Sequence, residues 1–302
     1  MIDAQTLFER RMLYPHPTAR DRLDRLIGLD DHKTKLTKVL GLLVHPKGLN
    51  EWGARHHPGA DFLMQSVLNR PPLVILAGDV SSGKTELAET IGDAVARQEN
   101  IELELLPLSL SARGQGKVGQ MTQLLSGAFD FTIKEAMRLK DNGAVILLVD
   151  EADALAQSRE SEMHHEDRSG VNTFIRGIDR LANQRLPAAV IMCTNRYQAL
   201  DPAVRRRAAE ILVFERPGEE GRRQLLSRRL SPIGFGPDDV EALVAATGPR
   251  EGGEPGFTYS DMMQRLLPTI VLDAYPHSAI MPERAAELAL GMRATAAFRD
   301  EA

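Results

Sequence analysis

The chain has 302 residues, 43% apolar and 26% charged, the balance of an ordinary globular protein with length for one large domain or two modest ones. Aromatic residues make up only 5%, with a single Trp, and 42 acidic against 37 basic side chains leave a formal charge of -5. That argues against a stacking platform for single-stranded nucleic acid and against a protein that coats a polyanion. One cysteine, Cys193, excludes an internal disulfide framework and a cysteine-built zinc site.

In chain order, residues 1–26 are polar and arginine-rich and are expected to be helical in part, broken at Pro15 and Pro17. No stretch in Met1–Tyr14 has signal-peptide length and no run approaches a membrane span, so an intracellular, cytoplasmic chain is expected. Asp31–Val44 reads as a helix, with Leu36, Val39, Leu40 and Leu43 at three- and four-residue spacing. From His45 to Pro72 periodicity is weak, and loop is expected with an interrupted helix around Phe62–Leu68. Short apolar runs at Leu73–Ala77, Ile101–Leu108, Ala144–Val149, Ala188–Cys193 and Ile211–Phe214 then alternate with helical patterns at Lys84–Gln98, Val118–Lys140 and Gly170–Gln184. Strands separated by helices predict crossover connections and a largely parallel five-stranded sheet flanked by helices, an α/β body. After Pro217, the segments 219–230, 237–247, 258–275 and 282–299 all read as helix. The expected division is therefore an N-terminal extension over 1–26, an α/β domain over 27–217 and a smaller all-helical domain over 218–302.

Gly78-Asp79-Val80-Ser81-Ser82-Gly83-Lys84-Thr85 fits G-x-x-x-x-G-K-[ST], follows an apolar strand and opens a helix, with Glu86 next in the first turn. Glycines let backbone N–H groups turn inward around phosphate oxygens, and the helix start adds partial positive charge. Lys84 is then placed to neutralise the outer phosphates of a bound ligand, and the Thr85 hydroxyl to ligate Mg2+. Further on, Ile146-Leu147-Leu148-Val149 delivers Asp150 and Glu151 to the carboxyl end of a buried strand, where open α/β sheets bind ligands. Asp150 is expected to hold the Mg2+ coordination shell through water, and Glu151 to polarise the water that attacks the terminal phosphate. Asn195, after the strand ending at Cys193, can orient that water. Leu200-Asp201-Pro202-Ala203-Val204-Arg205-Arg206-Arg207 is either a solvated basic face or carries an arginine finger. The pairs His56-His57 and His164-His165 lack metal-site spacing and read as surface residues, and Met262, Leu266 and Ile270 read as lid core.

These elements, in this order over about residues 27–275, resemble the AAA+ ATPases. Ile27-Gly28 resembles the segment that frames the adenine. Asp150-Glu151-Ala152-Asp153-Ala154-Leu155-Ala156 with Arg159, then Val171-Asn172 through Ile178-Asp179, resembles the Walker B segment and its following helix. Gly256-Phe257-Thr258-Tyr259-Ser260-Asp261-Met262 resembles the start of the sensor 2 helix. The fold, a hexameric or helical self-assembly and ATP-driven remodelling of a protein partner are what the resemblance implies. Ser109–Met121, with its Gly116-Lys117-Val118 step, and the form of Leu200–Ala208 are similar to the pachytene-checkpoint type, whose members remodel HORMA-domain proteins. Bacterial relatives sit in anti-phage signalling operons. By that resemblance Arg207 is the finger candidate and Arg206 the next.

Three departures from the pattern stand out. Asp79-Val80-Ser81 replaces the usual prolines and glycine. The loop Ser111–Gln120 lacks an aromatic grip. Ser260 occupies the place of a sensor arginine, for which Arg265 is the substitute on offer. The alternative function is a nucleotide-dependent DNA-associated switch of the initiator or loader type. It predicts a basic groove, against which the acidic net charge weighs.

Overall fold

The computed structural model describes residues 7, 8, 10–110, 120–140, 142–155, 165–250 and 252–297. Lys117, Val118, Arg159 and His164, together with the His165 side chain, lie outside the described residues. The chain forms two compact units. One comprises Met1–Arg25, Asp31–Ala77 and Thr85–Val213, and the other Leu26–Asp30, Gly78–Lys84 and Phe214–Ala302.

A six-stranded sheet runs β1 (Met12–Tyr14), β3 (Glu102–Ser109), β4 (Gly143–Asp150), β5 (Ala188–Thr194), β2 (Leu73–Gly78) and β6 (Ala208–Phe214) in spatial order. The β2–β5, β3–β4 and β4–β5 pairs are parallel. All seven residues of β5 are buried, as are the first seven of β4. This explains the unbroken apolar runs, since both faces of a parallel sheet are covered by crossover helices. Cys193 is among these buried residues. The helices between the strands are α1 (Pro17–Arg25), α2 (Asp30–Val44), α3 (Pro46–His56), α4 (Asp61–Leu68), α5 (Lys84–Glu99), α6 (Gln120–Leu139), α7 (His165–Gln184) and the short α8 (Pro202–Arg205). Phe129 of α6 meets Phe174 of α7 edge-on at 5.7 Å. The bare Gly177 admits the Phe129 ring, which a Cβ there would approach to 2.3 Å.

Several expectations need correction. The sheet has a sixth strand: β1, which pairs antiparallel with β3, lies in the segment expected to be partly helical. Three residues carry no readable alternation. What holds the strand is tertiary, with Arg11 ion-paired to buried Glu104 and the buried Tyr14 hydroxyl donating to the Glu89 carbonyl. Pro17 starts α1 instead of breaking a helix, because the first turn has no use for the missing N–H. The stretch expected to be mostly loop holds two helices, α3 and α4. Pro46 opens α3, and Gly53 interrupts its pattern because a Cβ would press to 2.8 Å on Met64 of α4.

The second unit contains α9 (Glu219–Leu230), α10 (Pro237–Ala246), a π-helical turn (Asp261–Leu266), α11 (Leu267–Ala274) and α12 (Pro282–Gly291). Met262, Leu266 and Ile270 lie in its apolar core with Leu226, Leu243 and Phe257, as their spacing predicts. The helix expected over 258–275 is not uniform. Pro268 lacks an N–H and its ring crowds the carbonyl four residues back, and the π turn directly before it absorbs that mismatch. The last helix ends at Gly291, and Met292 is extended, short of the expected 299.

Candidate nucleotide site

The loop after β2 is shaped by backbone conformation. Gly78 (φ 147°), Ser81 (φ 61°) and Gly83 (φ 94°) all have positive φ, and a Cβ on Gly78 would stand 2.0 Å from the Phe214 carbonyl oxygen. Only glycine fits there. The Asp79 N–H donates to that same carbonyl at 3.3 Å, and the Val80 N–H to the Asp79 carboxylate at 2.8 Å. Lys84 is buried, its ammonium donating to the carbonyls of Gly78 (3.1 Å) and Asp79 (2.6 Å) and to the Ser82 hydroxyl (3.2 Å). The loop thus curls around a cation, the geometry of a phosphate cradle.

In the same unit Ile27 packs on the helical core and Gly28 adopts φ 73°, its missing Cβ leaving room for the Tyr259 hydroxyl, which would otherwise stand at 2.1 Å. Ser260 donates to Gln264 (3.0 Å). Arg265 donates to the Asp261 carboxylate at 2.7 Å, so in this structure it clamps the helix start. Burial favours the protonated form of Asp261, but donors from Thr295, Thr258 and Arg265 outweigh it and hold the carboxyl down at about 2.

In the first unit, Thr85 and Asp150 come together, hydroxyl to carboxylate, at 3.3 Å. Burial pushes the Asp150 carboxyl up, opposed by the hydrogen bonds from the Glu151 N–H and the Thr85 hydroxyl. A desolvated carboxylate beside a hydroxyl is a hard-oxygen pair whose charge a divalent cation would stabilise, so these residues fit Mg2+. Glu151 is exposed and holds φ 51°, a left-handed conformation that costs a non-glycine residue on the order of 1 kcal/mol. Glu86, expected beside the nucleotide, is forked by Arg22 at 2.8 and 2.7 Å.

Two further residues are held by carboxylates whose part sequence reasoning missed. Asp153 accepts from the Thr194 hydroxyl (2.6 Å), the Asn195 backbone N–H (2.8 Å) and the Asn195 side-chain amide (3.1 Å). It thereby fixes the strand end that carries Asn195. Asp179 forks Arg207 at 2.7 and 3.0 Å, which raises the guanidinium pKa further, and Arg207 also donates to the Ala203 carbonyl. Arg206 is exposed, donating to the Pro202 carbonyl at 3.3 Å, and Arg205 lies over the Tyr197 ring at 5.6 Å. Both aspartates lie in segments quoted for their resemblance, but no spacing rule pairs residues 28 or 42 positions apart. The His56-His57 rings flank Trp52, at 5.8 and 5.0 Å. Among the described residues no helix is long and apolar enough to cross a membrane.

The family model "ATPase family associated with various cellular activities (AAA)" matches residues 74–216. The chain is 60% identical to CD-NTase-associated protein 6 of Escherichia coli (strain MS 115-1), over 97% of this chain and 96% of that one. It is similar to a chain of the E. coli MS115-1 HORMA:CdnC:Trip13 complex, at 60% identity and a TM-score of 0.92, covering 98% of this chain and 99% of that one. It is also similar to Rhizobiales Trip13, at 53% identity and a TM-score of 0.77, covering 96% and 99%. A cradle that only glycine can form, a buried lysine curled into it, a Thr85–Asp150 oxygen pair and full-length likeness to these proteins lead to one conclusion: the chain belongs to the AAA family of ATPases, in the group of the CD-NTase-associated protein 6 chains.

Proposed function

We propose that the protein is an oligomeric ATPase that uses ATP hydrolysis to change the conformation of, or disassemble, a HORMA-domain partner in bacterial anti-phage signalling. The observation that carries this reading is the full-length likeness, at a TM-score of 0.92, to a chain solved in a HORMA:CdnC:Trip13 complex.

In this mechanism the triphosphate of ATP lies along the Gly78–Thr85 loop, and the Lys84 ammonium exchanges the Gly78 and Asp79 carbonyls for phosphate oxygens. Thr85 and Asp150 would hold Mg2+, which neutralises charge on the phosphoryl oxygens when bound. Glu151 accepts a proton from a water as that water attacks the terminal phosphorus. The bond from phosphorus to the bridging oxygen breaks, leaving ADP and inorganic phosphate. The left-handed backbone at Glu151 presents the carboxylate at the strand end instead of burying it. Asn195, steadied by Asp153, orients the water. Arg207 supplies positive charge to the terminal phosphate of a neighbouring protomer, with Arg206 beside it, so each site spans two subunits and turnover requires assembly. Ile27 and Gly28 frame the adenine.

The test is a pull-down with Glu151→Gln protein in ATP, using as partner the HORMA protein of the E. coli MS115-1 complex. The stalled protein is expected to retain the partner and to hydrolyse ATP on the order of 100-fold more slowly or worse. Normal turnover in that variant would remove the role assigned to Glu151, and no ATP-dependent retention would remove the HORMA assignment.

A further inference from the structure

The phosphate loop carries a carboxylate of its own. Asp79 directly follows Gly78, and its backbone carbonyl accepts from the Lys84 ammonium at 2.6 Å. An unneutralised aspartate at that point would face a bound polyphosphate with like charge. The structure supplies the countercharge from far along the chain. Arg216 donates through Nε to the Asp79 carboxylate at 2.5 Å, across 137 positions of sequence. Its Nη1 reaches two further acceptors, the carbonyls of Gly256 and Thr295, each at 2.8 Å. Both side chains are mostly buried, at 13% and 15% exposure, so water screens the pair weakly. The third arm, Nη2, is buried and has no hydrogen-bond partner among the described residues. Buried polar groups are nearly always satisfied, so a buried guanidinium arm left one partner short is an exception that calls for an explanation.

We propose that Arg216 is a positioning residue for the nucleotide: it neutralises Asp79 and anchors it to the Gly256 and Thr295 carbonyls, so that an acidic phosphate loop accepts a polyphosphate. The proposal rests on the reading that this loop binds ATP. It accounts for a departure that the motif alone leaves unexplained, an aspartate at a place usually held by proline. It also gives the phosphate loop a direct tie to Gly256 and Thr295, the first before the π-helical turn and the second in the C-terminal segment. No arginine at position 260 is needed to bring a guanidinium to the loop.

The test is calorimetric titration of the full chain with adenylyl imidodiphosphate and Mg2+. Arg216→Ala removes the guanidinium countercharge beside Asp79 and is expected to weaken binding roughly 30-fold, the scale of one like charge at short range in partly screened surroundings. The double variant Asp79→Ala/Arg216→Ala removes both charges and is expected to recover most of that loss. A merely structural loss would not be recovered by a second truncation. Arg216→Lys keeps the charge and is expected to bind better than Arg216→Gln, which keeps a donor without charge and replaces Arg216→Ala if circular dichroism shows the latter unfolded. Wild-type affinity in Arg216→Ala or Arg216→Gln overturns the proposal, as does a double variant no better than the single one. Absence of binding by the wild-type chain would instead overturn the ATP reading, and Arg216 with it.

Discussion

The phosphate loop and the Asn195 and Arg207 pair are built by different physics. In the loop, position is written into the backbone. Gly78 and Gly83 take conformations that side-chain-bearing residues avoid, and the Phe214 carbonyl closes on Gly78 so tightly that no Cβ fits. At Asn195 and Arg207 the backbone is ordinary, and the side chains are aimed by carboxylates, Asp153 for one and Asp179 for the other. A site made the first way is specified by a contiguous string of residues. A site made the second way depends on partners brought from elsewhere in the fold, and changes there are expected to alter rate while leaving nucleotide affinity in place.

Two substitutions sharpen that contrast. The larger effect is expected at Asp153. Asp153→Ala releases the Asn195 amide and the Thr194 hydroxyl together, and kcat is expected to fall about ten-fold or more with KM for ATP nearly unchanged. Steady-state phosphate release checks this, and a change confined to KM would place Asp153 in binding instead of water orientation. A smaller effect is expected at Asp179. The Arg207–Asp179 pair is partly exposed, at 31% and 44%, and such pairs are worth roughly 0–1 kcal/mol, so Asp179→Ala is expected to change kcat by less than about five-fold. A hundred-fold loss in the same assay would show that Asp179 does more than steady the arginine.

The same contrast decides what could be read from sequence. Lys84, Thr85, Asp150 and Glu151 stand out in the sequence as candidates because each belongs to a short string whose chemistry is local: a glycine-framed turn, a helix start, a buried strand ending in carboxylates. The parallel sheet was legible because β2, β4 and β5 are buried on both faces and therefore apolar without interruption. β1 was not, since three residues held by Arg11 and Glu104 leave no periodic trace. Helix α3 was hidden by Gly53, whose bareness serves packing against Met64 and not a loop. Nothing local in the sequence distinguishes Arg216 from other arginines. Only the fold brings it to Asp79, and that contact turns an irregularity of the motif into a paired charge.

The mechanism stands or falls on whether the Gly78–Thr85 loop binds the triphosphate of ATP. The decisive experiment is a calorimetric titration of ATP with Mg2+ into wild-type and Lys84→Ala proteins. Saturable binding by the wild type, weakened at least 100-fold in Lys84→Ala with folding intact by circular dichroism, is the predicted result, since Lys84 is the charge around which the loop is curled. Equal affinity in the two proteins, or no binding by either, would contradict it.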